Sequence, residues 1–154
     1  MTEQVEVKKP LRLNGAEFNR VSIVDDEGQL HRFTTKELFK INKSDITSDL
    51  MKFPAEVAWW GRLEIELNHQ KRLLKKKLDQ VTNQTTLNFR LGGEKLNAAA
   101  LNEKVELDPV VQSATDDLNQ ITRLHAVVQG VNEALHVKHD MLKLYMNSLN
   151  TMKG

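Results

Sequence analysis

Hydrophobic residues recur every three or four positions along two long stretches of this chain, which is the spacing of amphipathic helices. At about 100° per residue, the apolar positions of the first stretch fall on one side of a helix. They are Trp59, Trp60, Leu63, Leu67, Leu74, Leu78 and Val81. The second stretch follows the same rule, with Val110, Ala114, Leu118, Ile121, Leu124, Val128, Val131, Leu135, Leu142, Tyr145 and Leu149. The pattern therefore predicts two long helices.

The ends of these helices are marked by capping and breaking residues. The first helix is predicted to begin near Ser48, or at Pro54, and to continue to about Leu91. The alternative is that it frays or stops before Leu91, because residues 82–86 are poor helix formers. Gly92-Gly93 is a firm break, and the linker over 94–107 is compatible with a short helix around 96–102. Asp108-Pro109, a cap residue followed by proline, predicts the start of the second helix.

The segment before the helices has a different pattern. Two short apolar-rich runs, 21–24 and 29–34, flank an acidic turn that ends in Gly28, which predicts a β-hairpin. Residues 1 to about 16 are predicted to be a flexible arm, and Thr35 to cap a short helix from Lys36 to Ile41. Because an isolated hairpin is marginal in water, we expect it to lean on the helices or on a neighbouring subunit.

Together these patterns predict a mainly α fold. Two long antiparallel helices form a helical hairpin or coiled coil, with a small N-terminal β-hairpin appendage, and subunits assemble into an oligomer that buries the remaining apolar positions. We expect residues 1–46 to form the N-terminal arm and residues 47–154 the helical, oligomer-forming domain.

Composition narrows the classes of protein that fit. The chain has 154 residues, a formal net charge of +1 and no cysteine, so disulfide frameworks, thiolate metal sites and a cysteine nucleophile are excluded. A chain without cysteine fits a reducing compartment. The first nine residues contain acids and no apolar run, unlike a signal peptide, and no segment has the apolar length of a membrane span. We expect a soluble, cytoplasmic protein without a membrane partner.

Motifs for catalysis, cofactors and metals are missing from the sequence. Gly92-Gly93 is a lone pair without the following Lys and Ser or Thr of a phosphate-binding loop, and no nucleophile-elbow motif occurs. His136 and His139 are spaced to share a metal on a helix, but no convincing third ligand accompanies them, so exposed helix histidines are the favoured interpretation. We therefore predict no enzyme activity, no cofactor and no metal.

The strongest charge feature is the segment 71–77, in which five of seven residues are basic and none is acidic. Four of these residues fall opposite the apolar stripe, namely Lys71, Arg72, Lys75 and Lys76, and Lys77 falls at the edge of that stripe. Like charges at i,i+4 cost helix stability. Such a run is either a solvated face or a surface that binds the phosphates of a polyanion, with strong salt dependence and little sequence preference.

Trp59 and Trp60 also have two interpretations. Aromatic side chains stack on exposed bases in single-strand binders, but both tryptophans fall at one edge of the apolar stripe with Leu63 and Leu67. We favour anchors of the core or of a subunit interface.

A family resemblance rests on the segment Leu74-Lys75-Lys76-Lys77-Leu78-Asp79, preceded by Lys71-Arg72. It resembles the Leu-Lys-x-Arg-Leu-Asp segment in the first long helix of phage recombination mediator proteins of the UvsY kind. The similarity covers residues from about 50 to 150. It continues with a polar linker, Asp108 before the second helix, and Ala134-Leu135-His136-Val137-Lys138 at the place of an Ala-Leu-x-x-Lys pattern. Residues 1–46 have no counterpart.

The resemblance implies a homo-oligomer, such as a ring, that binds single-stranded DNA. It would help to load a RecA-like recombinase onto strands covered by single-strand-binding protein, in DNA recombination, repair and replication. If the protein is phage-encoded, this would take place in the host cell cytoplasm. By correspondence Lys75 and Lys77 would contact DNA, and Lys77 replaces an arginine, which loses the planar fork for bidentate phosphate contacts. An ideal helix places these two residues about 200° apart.

The full predicted DNA-binding set adds two residues that join the surface if the linker folds back. It comprises Lys71, Arg72, Lys75, Lys76, Lys77, Arg90 and Lys95. The rival hypothesis is a structural or assembly coiled-coil protein of a phage, without nucleic-acid binding, in which the basic run is only a solvated face.

Overall fold

A computed structural model describes residues 12–17, 20–25, 27–93 and 95–152 of the chain. Three strands come first: β1 (Arg12–Glu17), β2 (Arg20–Val24) and β3 (Leu30–Thr34). Four helices follow: α1 (Thr35–Leu38), α2 (Ile46–Leu91), α3 (Ala98–Glu106) and α4 (Pro109–Thr151). The prediction of a mainly helical protein with a small N-terminal β element is confirmed.

The two long helices, α2 and α4, pack side by side in opposite directions. Phe53 stacks on His139 with ring centroids 4.1 Å apart, and farther along the hairpin Lys77 lies beside Asp117. At about 1.5 Å per residue, each helix is roughly 65–70 Å long. Their shared seam buries Phe53, Trp60, Leu63 and Leu67 of α2 together with Ile121, Leu124, Val128, Val131 and Leu135 of α4.

The start of α2 agrees with only one of its two predicted positions. The helix begins at Ile46, two residues before Ser48, because the Asp45 carboxylate accepts a hydrogen bond from the Ser48 amide at 3.1 Å and caps it. Pro54 is therefore an interior helix residue, and the prediction that the helix could begin there is wrong. An interior proline costs helix stability, and burial of the neighbouring Phe53 in the seam offsets that cost.

The other end of α2 lies at Leu91, which confirms the predicted end of the helix. The alternative of fraying or an earlier stop is wrong, because the helix continues through residues 82–86. Thr85 is buried there, so tertiary packing overrides weak propensity. Within the helix, the Thr86 hydroxyl donates to the Thr82 carbonyl at 2.8 Å. Gly92 and Gly93 end the helix as predicted, and Gly93 has a φ of 80°, which favours glycine.

The linker folds back along α2. The predicted short helix is present as α3, capped by Asn97, and it buries Leu101 and Val105 in a second apolar cluster with residues of both long helices. The start of α4 is confirmed, because the Asp108 carboxylate accepts from the amides of Val110 and Val111 ahead of Pro109 at the first helical position.

The predicted hairpin corresponds to β2 and β3, which pair antiparallel with Val21 opposite Phe33 and Ile23 opposite His31. In the turn, the Asp25 carboxylate accepts from the amide of Gln29 at 2.8 Å. Gly28 has a φ of 84°, so the turn needs a residue without a side chain at that position.

Two predictions for the N-terminal segment are wrong. Residues 12–17 form a third strand, β1, paired with β2, where the sequence predicted a flexible arm; the rest of that arm, 1–11, lies outside the described residues. The short helix spans only Thr35–Leu38, and its cap is Thr34, one residue earlier than expected. The charged, mixed sequence of β1 has no strand pattern of its own. The strand forms because β2 offers an edge with which it can pair.

The sheet leans on the helices, as expected. Val21 and Ile23 of β2 are buried in the same apolar core as Trp60 and Leu135. At the end of α1 the buried Lys138 of α4 donates a hydrogen bond from Nζ to the Leu38 carbonyl at 3.0 Å. The strands and the helical hairpin therefore share one hydrophobic core.

Candidate nucleic-acid interface

The tryptophan pair anchors the α2 helix in the core. Trp60 is only 2% exposed, and its carbonyl accepts a hydrogen bond from the Asn132 side chain of α4. Trp59 is half-buried and tilts against His31 and Phe33 of β3, with centroid separations of 5.7 and 5.4 Å. Burial removes Trp60 from any base-stacking role, so the core interpretation of this residue is confirmed.

The basic run of α2 faces away from the core. Arg72, Lys75 and Lys76 are exposed, and Lys71 is half-buried at the edge of the groove between α2 and α4. Within the described part of the chain, none of these four residues has a carboxylate within 4.0 Å of its charged group. We call these four residues the basic face. Asp79 is exposed one turn beyond it and does not pair with it.

Lys77 belongs to a different environment. Its Nζ lies 3.5 Å from the Asp117 carboxylate of α4. This follows from its position at the edge of the apolar stripe, which points its side chain towards the partner helix. No acid lies near Lys77 within the basic run itself, because the compensating acid comes from a position 40 residues away in the chain. The structure thus separates Lys77 from the other four cations.

Arg90 lies on the same side of α2 as the basic face but farther along. It follows Lys76 by 14 residues, which is two heptads, so the two share a helix side about 21 Å apart along the axis. Lys95 is exposed after the Gly92-Gly93 break. The linker does fold back, but α3 packs beside Val81 and Phe89, near the end of α2. Arg90 and Lys95 are not brought next to the basic face.

His136 and His139 of α4 both contact an aromatic ring, and only His136 is exposed as predicted, because His139 is half-buried. His139 stacks on Phe53, and His136 meets the same ring edge-on at 6.4 Å. Across the described residues, no group of three or more His, Cys, Asp or Glu side chains is placed to hold a metal ion. None of the helices in that part of the chain has both the length and the apolar character needed to cross a membrane.

A second apolar stripe lies on the outer side of α4. Val137, Met141 and Leu144 are 60%, 45% and 69% exposed, and their spacing of four and three residues is that of a coiled-coil seam. The inner seam of α4 packs on α2, whereas this exposed outer stripe has no helix partner among the described residues.

Comparison of the chain with protein-family models, with curated proteins and with solved structures yields no match.

Proposed function

We propose that this protein is a non-enzymatic recombination mediator that binds single-stranded DNA through the basic face of α2. The observation that carries the proposal is that Lys71, Arg72, Lys75 and Lys76 lie together without an ion-pair partner among the described residues. The resemblance to mediators of the UvsY kind supports the same function. In this proposal the protein favours loading of a RecA-like recombinase onto strands covered by single-strand-binding protein.

The electrostatics of the basic face favour a polyanion. Its four cations occupy about 8 Å of helix length, so they meet successive phosphates of one strand. Because none of them has an ion-pair partner among the described residues, DNA binding breaks no ion pair there and releases condensed counterions. Contacts of this kind are made to phosphates and carry little sequence information.

The mediator role also calls for several subunits. We propose a homo-oligomer in which the outer stripe of α4 contacts a neighbouring subunit, because exposed apolar residues at heptad spacing pair with another helix. Repetition of the basic face around such an assembly raises the affinity for a long strand by multivalency.

Two measurements test this proposal. Fluorescence anisotropy with labelled oligo-dT is expected to show binding that weakens steeply between 50 and 200 mM salt. The slope of log affinity against log salt concentration is expected to correspond to several phosphate contacts. A strand-exchange assay with the cognate recombinase and single-strand-binding protein is expected to accelerate when the protein is added. Failure of the chain to bind oligo-dT at 50 mM salt refutes the DNA-binding role; unchanged strand exchange refutes the mediator role.

The rival proposal is a structural or assembly coiled-coil protein, and the outer stripe of α4 is the observation that favours it. A scaffold needs long helices and a second seam, both of which this chain has. Light scattering combined with the oligo-dT titration separates the two: a scaffold forms oligomers and leaves the oligonucleotide free, whereas a mediator forms oligomers and binds the oligonucleotide.

A further inference from the structure

The two sides of the α2–α4 hairpin are not equivalent. On one side Lys138 reaches the Leu38 carbonyl beside the sheet, and Trp59 packs against Phe33 of β3. Asp117 precedes Lys138 by three heptads, so the Lys77–Asp117 pair lies on this sheet side as well. The sheet side of the helical hairpin is therefore covered where the strands pack on it, and it carries the acid Asp117 farther along.

On the opposite side, side chains of α2 contact side chains of α4 directly. Glu64 of α2 accepts a hydrogen bond from the Asn132 side chain of α4, and Phe53 stacks on His139. Asn132 and His139 are one heptad apart, so both lie on the same side of α4. We call the channel between α2 and α4 on this side the open groove.

One heptad farther along, the open groove becomes basic. Lys71 follows Glu64 by seven residues and His125 precedes Asn132 by seven, so a seven-residue step from the observed Glu64–Asn132 contact brings Lys71 and His125 to facing positions. Both residues are half-buried, as expected at a groove edge. Lys75, one turn beyond Lys71, lies on the same edge.

No acid occurs in the residues that form the α4 wall of the open groove, while the exposed Glu133 lies just outside this wall, one turn after Gln129. Two adjacent heptad series form it: Thr115, Thr122, Gln129 and His136, then Leu118, His125, Asn132 and His139. Farther towards the C-terminus Asp140 comes within 3.9 Å of His139, and Glu64, the one acid on the α2 edge of this stretch, is bonded to Asn132. The middle of the groove therefore offers hydroxyl, amide and imidazole groups opposite two lysines.

We infer that single-stranded DNA runs through this open groove, with α4 supplying the second wall of the binding site. Lys71 and Lys75 contact the phosphates from α2, while Thr122, His125 and Gln129 donate hydrogen bonds from α4, as neutral polar side chains do at phosphate oxygens. The inference rests on the proposed function, and it names α4 residues that the basic run of α2 does not point to. In this site Lys71 contacts DNA although it is half-buried, because it lies at the edge of the groove.

A matched pair of glutamine substitutions tests this site. Gln129 and Gln120 are both exposed on α4. Gln129 is one heptad before His136 and lies on the open groove. Gln120 is one heptad before Val127, which packs towards the sheet-side core. Gln129→Glu places a negative charge in the groove and is expected to weaken binding of the full chain to oligo-dT about threefold to tenfold. Gln120 lies farther from the open groove than a Debye length, which is about 8 Å at 0.15 M salt. Gln120→Glu is therefore expected to change oligo-dT binding less than twofold.

The reverse pair guards against an effect of misfolding. Gln129→Lys is expected to tighten oligo-dT binding at 150 mM salt severalfold, and Gln120→Lys to leave it within twofold. If wild-type protein binds oligo-dT but the substitutions at 129 and 120 have equal effects, the groove assignment is overturned while the basic face stands. If wild-type protein does not bind at all, the proposed function itself is overturned.

Discussion

The Lys77 ammonium lies 3.5 Å from the Asp117 carboxylate, across the seam between α2 and α4. This contact divides a run of five cations that looks uniform in the sequence. Four of them, on the outer side and the groove edge of α2, have no ion-pair partner in the part of the chain that the structure describes, and the fifth is partly neutralised beside the sheet side of the hairpin. In the mediator proposal, DNA therefore meets the basic face, and Lys77 contributes less than its place in the resembling motif implies.

Removal of the Asp117 charge is expected to strengthen DNA binding. Asp117→Asn frees Lys77 for phosphate and should raise the affinity for oligo-dT about twofold to threefold at 50 mM salt. Both side chains are about half exposed, so the free energy of unfolding should change by less than about 1 kcal/mol. Asp116→Asn, which changes the net charge equally, is the control; an equal gain in both variants would mean that only net charge matters.

Lys138 is expected to be important for stability. Its side chain is buried, and its Nζ donates to the Leu38 carbonyl at the end of α1. Lys138→Ala removes that bond and leaves a carbonyl without its partner, so urea unfolding should show a loss of about 1–3 kcal/mol. The exposed Lys143→Ala should lie within about 0.5 kcal/mol of wild type. Equal stability of both variants would contradict the structural role of Lys138.

The turn of the β2–β3 hairpin is expected to be sensitive to acid. The hydrogen bond with His31 lowers the pKa of the Asp25 carboxyl below its ordinary value of 3.8, with further lowering by the Gln29 and Glu27 amides, while partial burial opposes the shift. A carboxyl whose pKa is depressed by folding stabilises the hairpin above pH 3.8, and this contribution is lost as the pH falls through the folded-state pKa.

A carbon-detected NMR titration measures this pKa directly. The Asp25 carboxyl is expected to titrate below 3.8 in the wild-type protein and closer to 3.8 in His31→Ala. An unshifted Asp25 pKa in the wild-type protein would show that the 2.7 Å His31–Asp25 contact does not persist in solution.

Trp60 is expected to be the most costly single truncation in the seam. Its side chain is 2% exposed and packs with both the sheet and α4, so Trp60→Ala should destabilise the fold by about 3–5 kcal/mol. Ile65→Ala on the same helix, where Ile65 is 73% exposed, is the comparison and should have little effect. Thermal unfolding followed by far-UV circular dichroism gives both values, and similar melting temperatures would rule out the core role.

The fold was predictable wherever periodicity and capping act locally. Asp108 and Pro109 specify the start of α4, and Gly92-Gly93 the end of α2, because caps and breakers need only neighbouring residues. Strand β1 was not predictable in this way, because it forms through pairing with β2 rather than through a pattern of its own. Pro54 misled for a related reason: proline suits a first helical turn, but here the cap is Asp45.

The candidate site was predictable only on the α2 side. Helical spacing alone places Lys75 and Lys76 away from the apolar stripe, as found, whereas Lys71, predicted to lie with them, is half-buried. The partner of Lys77 is an acid 40 positions away, and the facing of Lys71 and His125 depends on the register between the two helices. That register is fixed by long-range contacts such as Trp60 with Asn132, which no local pattern contains.

The most direct test of the central claim compares two double variants that remove the same charge. Lys75→Ala/Lys76→Ala shortens the basic face, and Lys36→Ala/Lys40→Ala removes two exposed lysines near the sheet. In oligo-dT titrations at several salt concentrations, we expect the first to weaken binding about tenfold or more and to reduce the salt slope by about two contacts. The second should stay near wild type. Equal affinities and equal salt slopes for the two variants would contradict the assignment of DNA binding to the basic face.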